Sequence, residues 1–265
     1  MNETNSNSNM ENNAINPLVK RILIIAGVVI VMAIPIAILI SSAPKKNNYT
    51  LEKSNTDSLS NLLASLEKAV NVNPSAANIL ALSAAYINAK MPGKAIQPLQ
   101  KLIKKEPNNA NAYNNLGVAN IMLKNYTLGI DACKKAISLD TSFQLAKNNL
   151  KWGLDEKQKT INIINTLLTK TPDKQDQAFY IQLGLLYMQV GEYNKSIAIW
   201  SDGLKKYPSA SSIFYNNIGT AKVFQKEYDK AIENFNKALA ADPNNQLAKN
   251  NIAWAQQEKN DNKPE

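Results

Sequence analysis

Apolar and polar positions follow a helical period through most of the chain, and the pattern itself returns about every 34 residues. Tyr113, Leu116 and Ile130, then Tyr180, Leu183, Tyr187, Ile197 and Trp200, are spaced to line one face of a helix or of a helix pair. Small residues stand twelve apart in successive copies: Ser83 and Ala95, Gly117 and Gly129, Gly184 and Ser196, Gly219 and Ala231. Turn signals lie between them at Met91-Pro92-Gly93 and Gly191-Glu192-Tyr193, and Pro107, Pro208 and Pro243 mark the exits from the second helices. This predicts antiparallel helix pairs whose backbones approach where the side chain is small.

The period is long-lived. Gln144-Leu145-Ala146-Lys147-Asn148-Asn149-Leu150-Lys151-Trp152 recurs as Gln246-Leu247-Ala248-Lys249-Asn250-Asn251-Ile252-Ala253-Trp254, 102 residues later, and Gly117 to Gly219 spans the same three periods. A repeat of this length predicts an all-α solenoid in which each pair packs only on its neighbours. The copies run over 76–109, 110–143, 144–176, 177–211 and 212–245. The third is the most degenerate, because Lys151 replaces the small residue and the spacing on to Gly184 is one short; a flexible joint is the expectation there. Asp57 to Val70 reads as a lone second helix opening a solenoid over 57–258, 246–258 as its closing cap, and 259–265 as a tail.

These residues resemble tetratricopeptide repeats, whose pattern is Trp-x2-Leu-Gly-x2-Tyr followed by Ala-x3-Phe, Ala and a late Pro. Tyr215, Ile218, Gly219, Ala231, Phe235, Ala238 and Pro243 carry the second-helix half best. Tyr180, Leu183, Gly184 and Tyr187 carry the first-helix half. The resemblance implies a right-handed superhelix, a protein-interaction scaffold, and a concave groove lined by the first helix of each pair. Asn114, Asn115, Asn148, Asn149, Gln182, Asn216, Asn217, Asn250 and Asn251 then fall at equivalent groove positions. An amide side chain both donates and accepts, so such a row can pair with an extended peptide backbone whatever its sequence. Trp152 and Met188 stand beside it as apolar wall, with Val118, Leu185, Phe224 and Trp254. The repeat subfamily that clamps a terminal carboxylate does so with groove lysines and an arginine; those positions here are amide or apolar, which excludes a clamp of that type.

Composition narrows the chemistry. Histidine is absent and Cys133 is the single cysteine, which removes histidine bases, cysteine–histidine pairs, zinc sites and internal disulfides. The expectation is a non-enzyme with no metal and no cofactor. The net charge of +9 rests on 29 lysines and one arginine, Arg21, against 21 acids. Lysines scattered along helices without arginine or interleaved aromatics do not suit nucleic acid, so no nucleic-acid partner is expected. Cys133 sits at a core position of a second helix, as a small apolar residue.

The amino-terminal region has another character. Residues 1–19 are rich in Asn, Ser and Glu without hydrophobic pattern, which predicts disorder. Ile22 and Ile40 bound 19 apolar or small residues, enough for one membrane-spanning helix at about 1.5 Å per residue. Pro44 and the length of the run disfavour a cleaved signal peptide. Lys20 and Arg21 abut the run while Ser41 to Pro44 separate it from Lys45 and Lys46, which favours a cytoplasmic amino terminus. Residues 41–56 read as a polar linker. The sequence therefore predicts a single-pass membrane protein whose solenoid is extracytoplasmic and takes a protein or extended peptide in its groove, in assembly or chaperoning of envelope proteins. Two alternatives stand beside it: a cytoplasm-facing recruiter of soluble partners, and a secreted protein whose lysines bind anionic polymer or lipid.

Overall fold

The computed structural model describes residues 49–171 and 175–262. Among the described residues there are eleven α-helices and no strand. They are α1 (Tyr49–Val72), α2 (Ala76–Asn88), α3 (Pro92–Lys105), α4 (Ala110–Met122), α5 (Tyr126–Leu139) and α6 (Gln144–Leu168). There follow α7 (Gln177–Gln189), α8 (Tyr193–Lys206), a short 3-10 turn at Pro208–Ala210, α9 (Ser211–Phe224), α10 (Tyr228–Ala241) and α11 (Gln246–Asp261). Consecutive helices α2/α3, α4/α5, α7/α8 and α9/α10 pack as hairpins, and α3 on α4 and α8 on α9 link one hairpin to the next.

Local chemistry starts and stops each pair in the same way. Side chains of Ser75, Asn109, Asp176 and Asn245 accept hydrogen bonds from the backbone N–H three residues on, capping α2, α4, α7 and α11. Such a cap contributes about 1 kcal/mol. First helices end on a left-handed residue: Lys90, Lys124, Gly191 and Lys226 have φ of 57°, 64°, 81° and 62°. The next N–H then reaches back five residues, Met91 to Tyr86, Asn125 to Asn120, Glu192 to Tyr187 and Glu227 to Lys222, satisfying carbonyls the helix end would leave open.

The small-residue pairs lie where the hairpins close. A Cβ on Gly117 would stand 2.5 Å from the Cys133 sulfur and one on Gly129 would stand 2.9 Å from the Gly117 carbonyl oxygen, so α4 and α5 touch backbone to backbone. In the last two hairpins the same gap is filled by a ring, Trp200 over Gly184 and Phe235 over Gly219. Ser83 and Ser196 are fully buried there, each returning its hydroxyl to the carbonyl four residues back.

The third copy departs from the pattern. Residues 144–168 form one continuous helix of 25 residues where a pair is expected. The cause is local: Gln158 occupies the register of Lys124, and Glu156-Lys157-Gln158-Lys159 is a run of strong helix formers without a turn residue. α7 then returns along α6, so that Val190 at its end shares a pocket with Lys157 at the middle of α6. Ile164, Leu167, Phe179, Leu183 and Leu186 make the core between them. α1 begins at Tyr49, inside the stretch expected as linker.

The single-pass, extracytoplasmic placement expected from the sequence is corrected here: among the described residues no helix is long and apolar enough to cross a membrane. The longest, α1 and α6 at 24 and 25 residues, have the length but not the apolarity. α6 carries Lys147, Lys151, Asp155, Glu156, Lys157 and Lys159 along its course. The expected span from Ile22 to Ile40 and the tail at 1–19 lie outside the described residues.

Candidate functional site

The first helices α2, α4 and α6 pack side by side, as do α9 and α11. Across the first row the Nδ2 of Asn149 donates to Oδ1 of Asn114 at 2.9 Å. Across the second, the Nδ2 of Asn251 donates to Oδ1 of Asn216, also at 2.9 Å. These are one rung seen twice, since both residues of the second are displaced by 102 from the first. Asn114, Asn216, Asn217 and Asn251 are buried, and Asn251 Oδ1 has no partner among the described residues. Four of the nine expected amides, Asn114, Asn149, Asn216 and Asn251, therefore hold neighbouring first helices together.

The other members are more open. Asn115 is half-buried and accepts from Asn114 Nδ2 at 3.3 Å. Asn148 is exposed and accepts from Gln144, and Asn250 is half-buried and accepts from Gln246 in the same way. Gln182 is exposed on α7. No rung joins it to Asn148, because α7 turns back along α6. Met188 is half-buried against the cluster of Trp200, Phe214 and Ile218. Trp152 keeps 37% of its surface exposed. Its counterpart Trp254 instead packs edge-on to Phe224 with ring centres 5.8 Å apart, and Phe224 stacks on Tyr193 at 5.6 Å. α4 and α6 thus leave Asn148 and Trp152 exposed and Asn115 half-buried.

A second group of residues, unsuspected from the sequence, fixes the joint between the two rows. Thr127 at the start of α5 donates its hydroxyl to the Val190 carbonyl at 2.8 Å and accepts from Lys157 Nζ at 3.1 Å. A Cβ on Gly191 would meet the Thr127 oxygen at 2.4 Å. A pocket of about 200 Å³ lies beside this contact, lined by Lys157, Ile161, Ile164, Asn165, Tyr187, Val190, Glu192 and Lys195. The sequence signal was present: Gly191 is the one glycine at a position where the other hairpins carry lysine.

Titration shifts follow burial and pairing. Burial pushes the Cys133 thiol up to about 11, which suits packing against Gly117 and not reactivity. Tyr86 is raised first by burial, then by donating to Glu67 Oε1 at 2.6 Å. Glu227 is held below its ordinary value by Lys230 and then Lys222, both ion-paired to it.

Stacked helical hairpins with Schellman-type turns and small-residue contacts define a repeat scaffold, and sequence comparison agrees on its type. A model described as tetratricopeptide repeat matches residues 212–245, and a second of the same description matches 99–130. Residues 99–130 and 212–245 therefore read as tetratricopeptide repeats. Among solved structures it is similar to MamA at 23% identity, covering 75% of this chain and 97% of that one with a TM-score of 0.32. It is also similar to YrrB, described as a TPR protein with an unusual peptide-binding site, at 17% identity, 72% and 97% coverage and a TM-score of 0.33. The TPR2AB domain of yeast Sti1, described as a pHSP90 complex, matches at 17% identity, 78% and 80% coverage and a TM-score of 0.36. No curated protein sequence matches the chain.

Proposed function

We propose that the protein is an interaction scaffold that takes an extended polypeptide segment along the inner face of α4 and α6. The observation that carries this is Trp152, a large aromatic ring left 37% exposed beside the exposed amide of Asn148, while the equivalent Trp254 is covered by Phe224. An aromatic platform next to amides provides apolar contact for one side chain and donors and acceptors for the backbone around it. Asn115 extends the polar line on α4, and Gln182 and Asn250 lie further along the chain's first helices.

A selection from a random 12-residue peptide display library tests the reading, followed by affinity measurements on the selected peptides. Trp152→Ala weakens binding about tenfold or more, in the range of an aromatic anchor residue, and Asn115→Ala and Asn148→Ala weaken it severalfold. Loss of binding on changing the outward residues Lys237 and Asn234 of α10, with Trp152→Ala unaffected, contradicts it.

A further inference from the structure

A linear solenoid joins each unit only to its neighbours, so an early hairpin and the last helix do not meet. Here they do. Lys104 at the end of α3 donates to the main-chain oxygen of Asp261 at the end of α11, 157 residues away, at 2.8 Å. Thr127 of α5 donates to the Val190 carbonyl at the end of α7 and accepts from Lys157 of α6. About one turn further along both segments, the Tyr193 phenol of α8 is raised by burial and then by the carboxylate of Asp131 on α5. Residues 49–168 and 177–262 are thus two arms that touch at the α6–α7 seam, beside Thr127, and again at Lys104.

These contacts differ in kind. The seam is apolar, with Ile164 and Leu167 of α6 against Phe179, Leu183 and Leu186 of α7. The cluster around Leu82, Leu99 and Leu102 belongs to the first arm, and those of Trp200 with Phe214 and of Val223 with Phe235 belong to the second. The closing contact is polar: Lys104 is exposed, and its partner is a main-chain oxygen. Arms held by so small and polar an interface are free to part.

Lys104 also stands in the last turn of its own helix. Its ammonium therefore lies between two helix carboxyl ends, that of α3 and that of α11, each carrying about half a negative charge. Two such ends repel without a cation between them. At an exposed position one such attraction shifts an equilibrium by about two- to fivefold, small enough for both states to be populated.

We infer that the chain is a clamp whose two arms open and close about the α6–α7 seam, with Thr127, Lys157 and Val190 at the pivot and Lys104 against the end of α11 as the latch. The pivot keeps its contacts because Gly191 lets Thr127 approach and the apolar seam lies beside it. The latch needs the charge of Lys104 and no particular side chain at 261, since it is the main chain that accepts. The clamp stands whatever the inner face of α4 and α6 takes.

Electron–electron double resonance on the full chain tests the inference, in a Cys133→Ala background with spin labels at Lys101 and Asp261, both exposed. Labels at Lys101 and Lys135 report the first arm alone, and labels at Leu128 and Glu192 report the pivot. The first pair gives a short and a long distance. Lys104→Ala lowers the ratio of short to long about two- to fivefold, and Lys104→Glu, which puts a repulsion where there was an attraction, about tenfold. The other two pairs give one distance each, the same in all three proteins. A single short distance that neither variant changes would show a rigid molecule, and a single long one would show that the latch does not form. A change in the Lys101–Lys135 pair would show unfolding in place of opening, and one in the Leu128–Glu192 pair would put the pivot elsewhere. Each of these overturns the proposal.

Discussion

Thr127 and Val190, 63 residues apart in the chain, are joined by a hydrogen bond of 2.8 Å from the threonine hydroxyl to the valine carbonyl. The bond ties the start of α5 to the end of α7 across the place where the repeat fails. It depends on Gly191, whose missing side chain leaves room for Thr127 and whose φ of 81° suits the turn. Gly191→Ala combines a left-handed alanine with a steric contact and costs about 2 kcal/mol or more. Thr127→Val removes the bond and costs about 1 kcal/mol. Urea unfolding of both variants checks the pair, and an unchanged midpoint for Gly191→Ala contradicts the assigned contact.

The other turns respond in the opposite direction. Lys124 and Lys226 are exposed and hold φ of 64° and 62°, a region glycine enters without steric cost. Lys124→Gly and Lys226→Gly each stabilise by up to about 1 kcal/mol in the same assay. A loss in either would mean that the lysine side chain contributes more than its backbone conformation costs.

The rung between Asn216 and Asn251 lies in a drier place than that between Asn114 and Asn149, since Asn251 is fully buried and Asn149 half-buried. Asn251→Ala leaves the Asn216 acceptor buried without its donor and costs about 1–3 kcal/mol, against about 1 kcal/mol or less for Asn149→Ala. A double-mutant cycle on Asn216 and Asn251 yields a coupling of about 1 kcal/mol. Zero coupling would show that the two amides are not bonded in solution.

Cys133 gives stability a pH limit. Its folded value is raised from the ordinary 9.0 to about 11 by burial. The thiol's contribution is thus fully present below pH 9 and is lost as pH rises from there through about 11. The unfolding midpoint falls over that window, and Cys133→Ala falls less steeply. A flat profile from pH 8 to 11 in the wild type contradicts the assignment.

Much of the fold was legible because the 34-residue period is carried by contacts that tolerate few residue types. Gly117 and Gly129 could be paired from spacing alone, and the structure shows them touching. The third copy was legible as the weak one, since Lys151 stands where a small residue belongs. Its form was not: whether 144–176 breaks into two helices depends on four residues, 156–159, that favour helix continuation. The turn lysines were hidden because a left-handed lysine looks like any other lysine in sequence. Among candidate site residues, register placed the amides on successive first helices. It could not say which are spent on one another, because burial of Asn251 but not Asn148 is set by the packing of whole neighbouring helices.

The inner face of α4 and α6 as the peptide site is tested most directly by site-resolved photocrosslinking. A photoreactive residue is placed at Asn115, at Asn148 and, as an outward comparison, at Asn234, and each protein is irradiated with a library-selected peptide. Crosslinks from Asn115 and Asn148, lost on adding unlabelled peptide or on Trp152→Ala, and none from Asn234, are the predicted result. Crosslinks from Asn234 alone, or from all three equally, would contradict it.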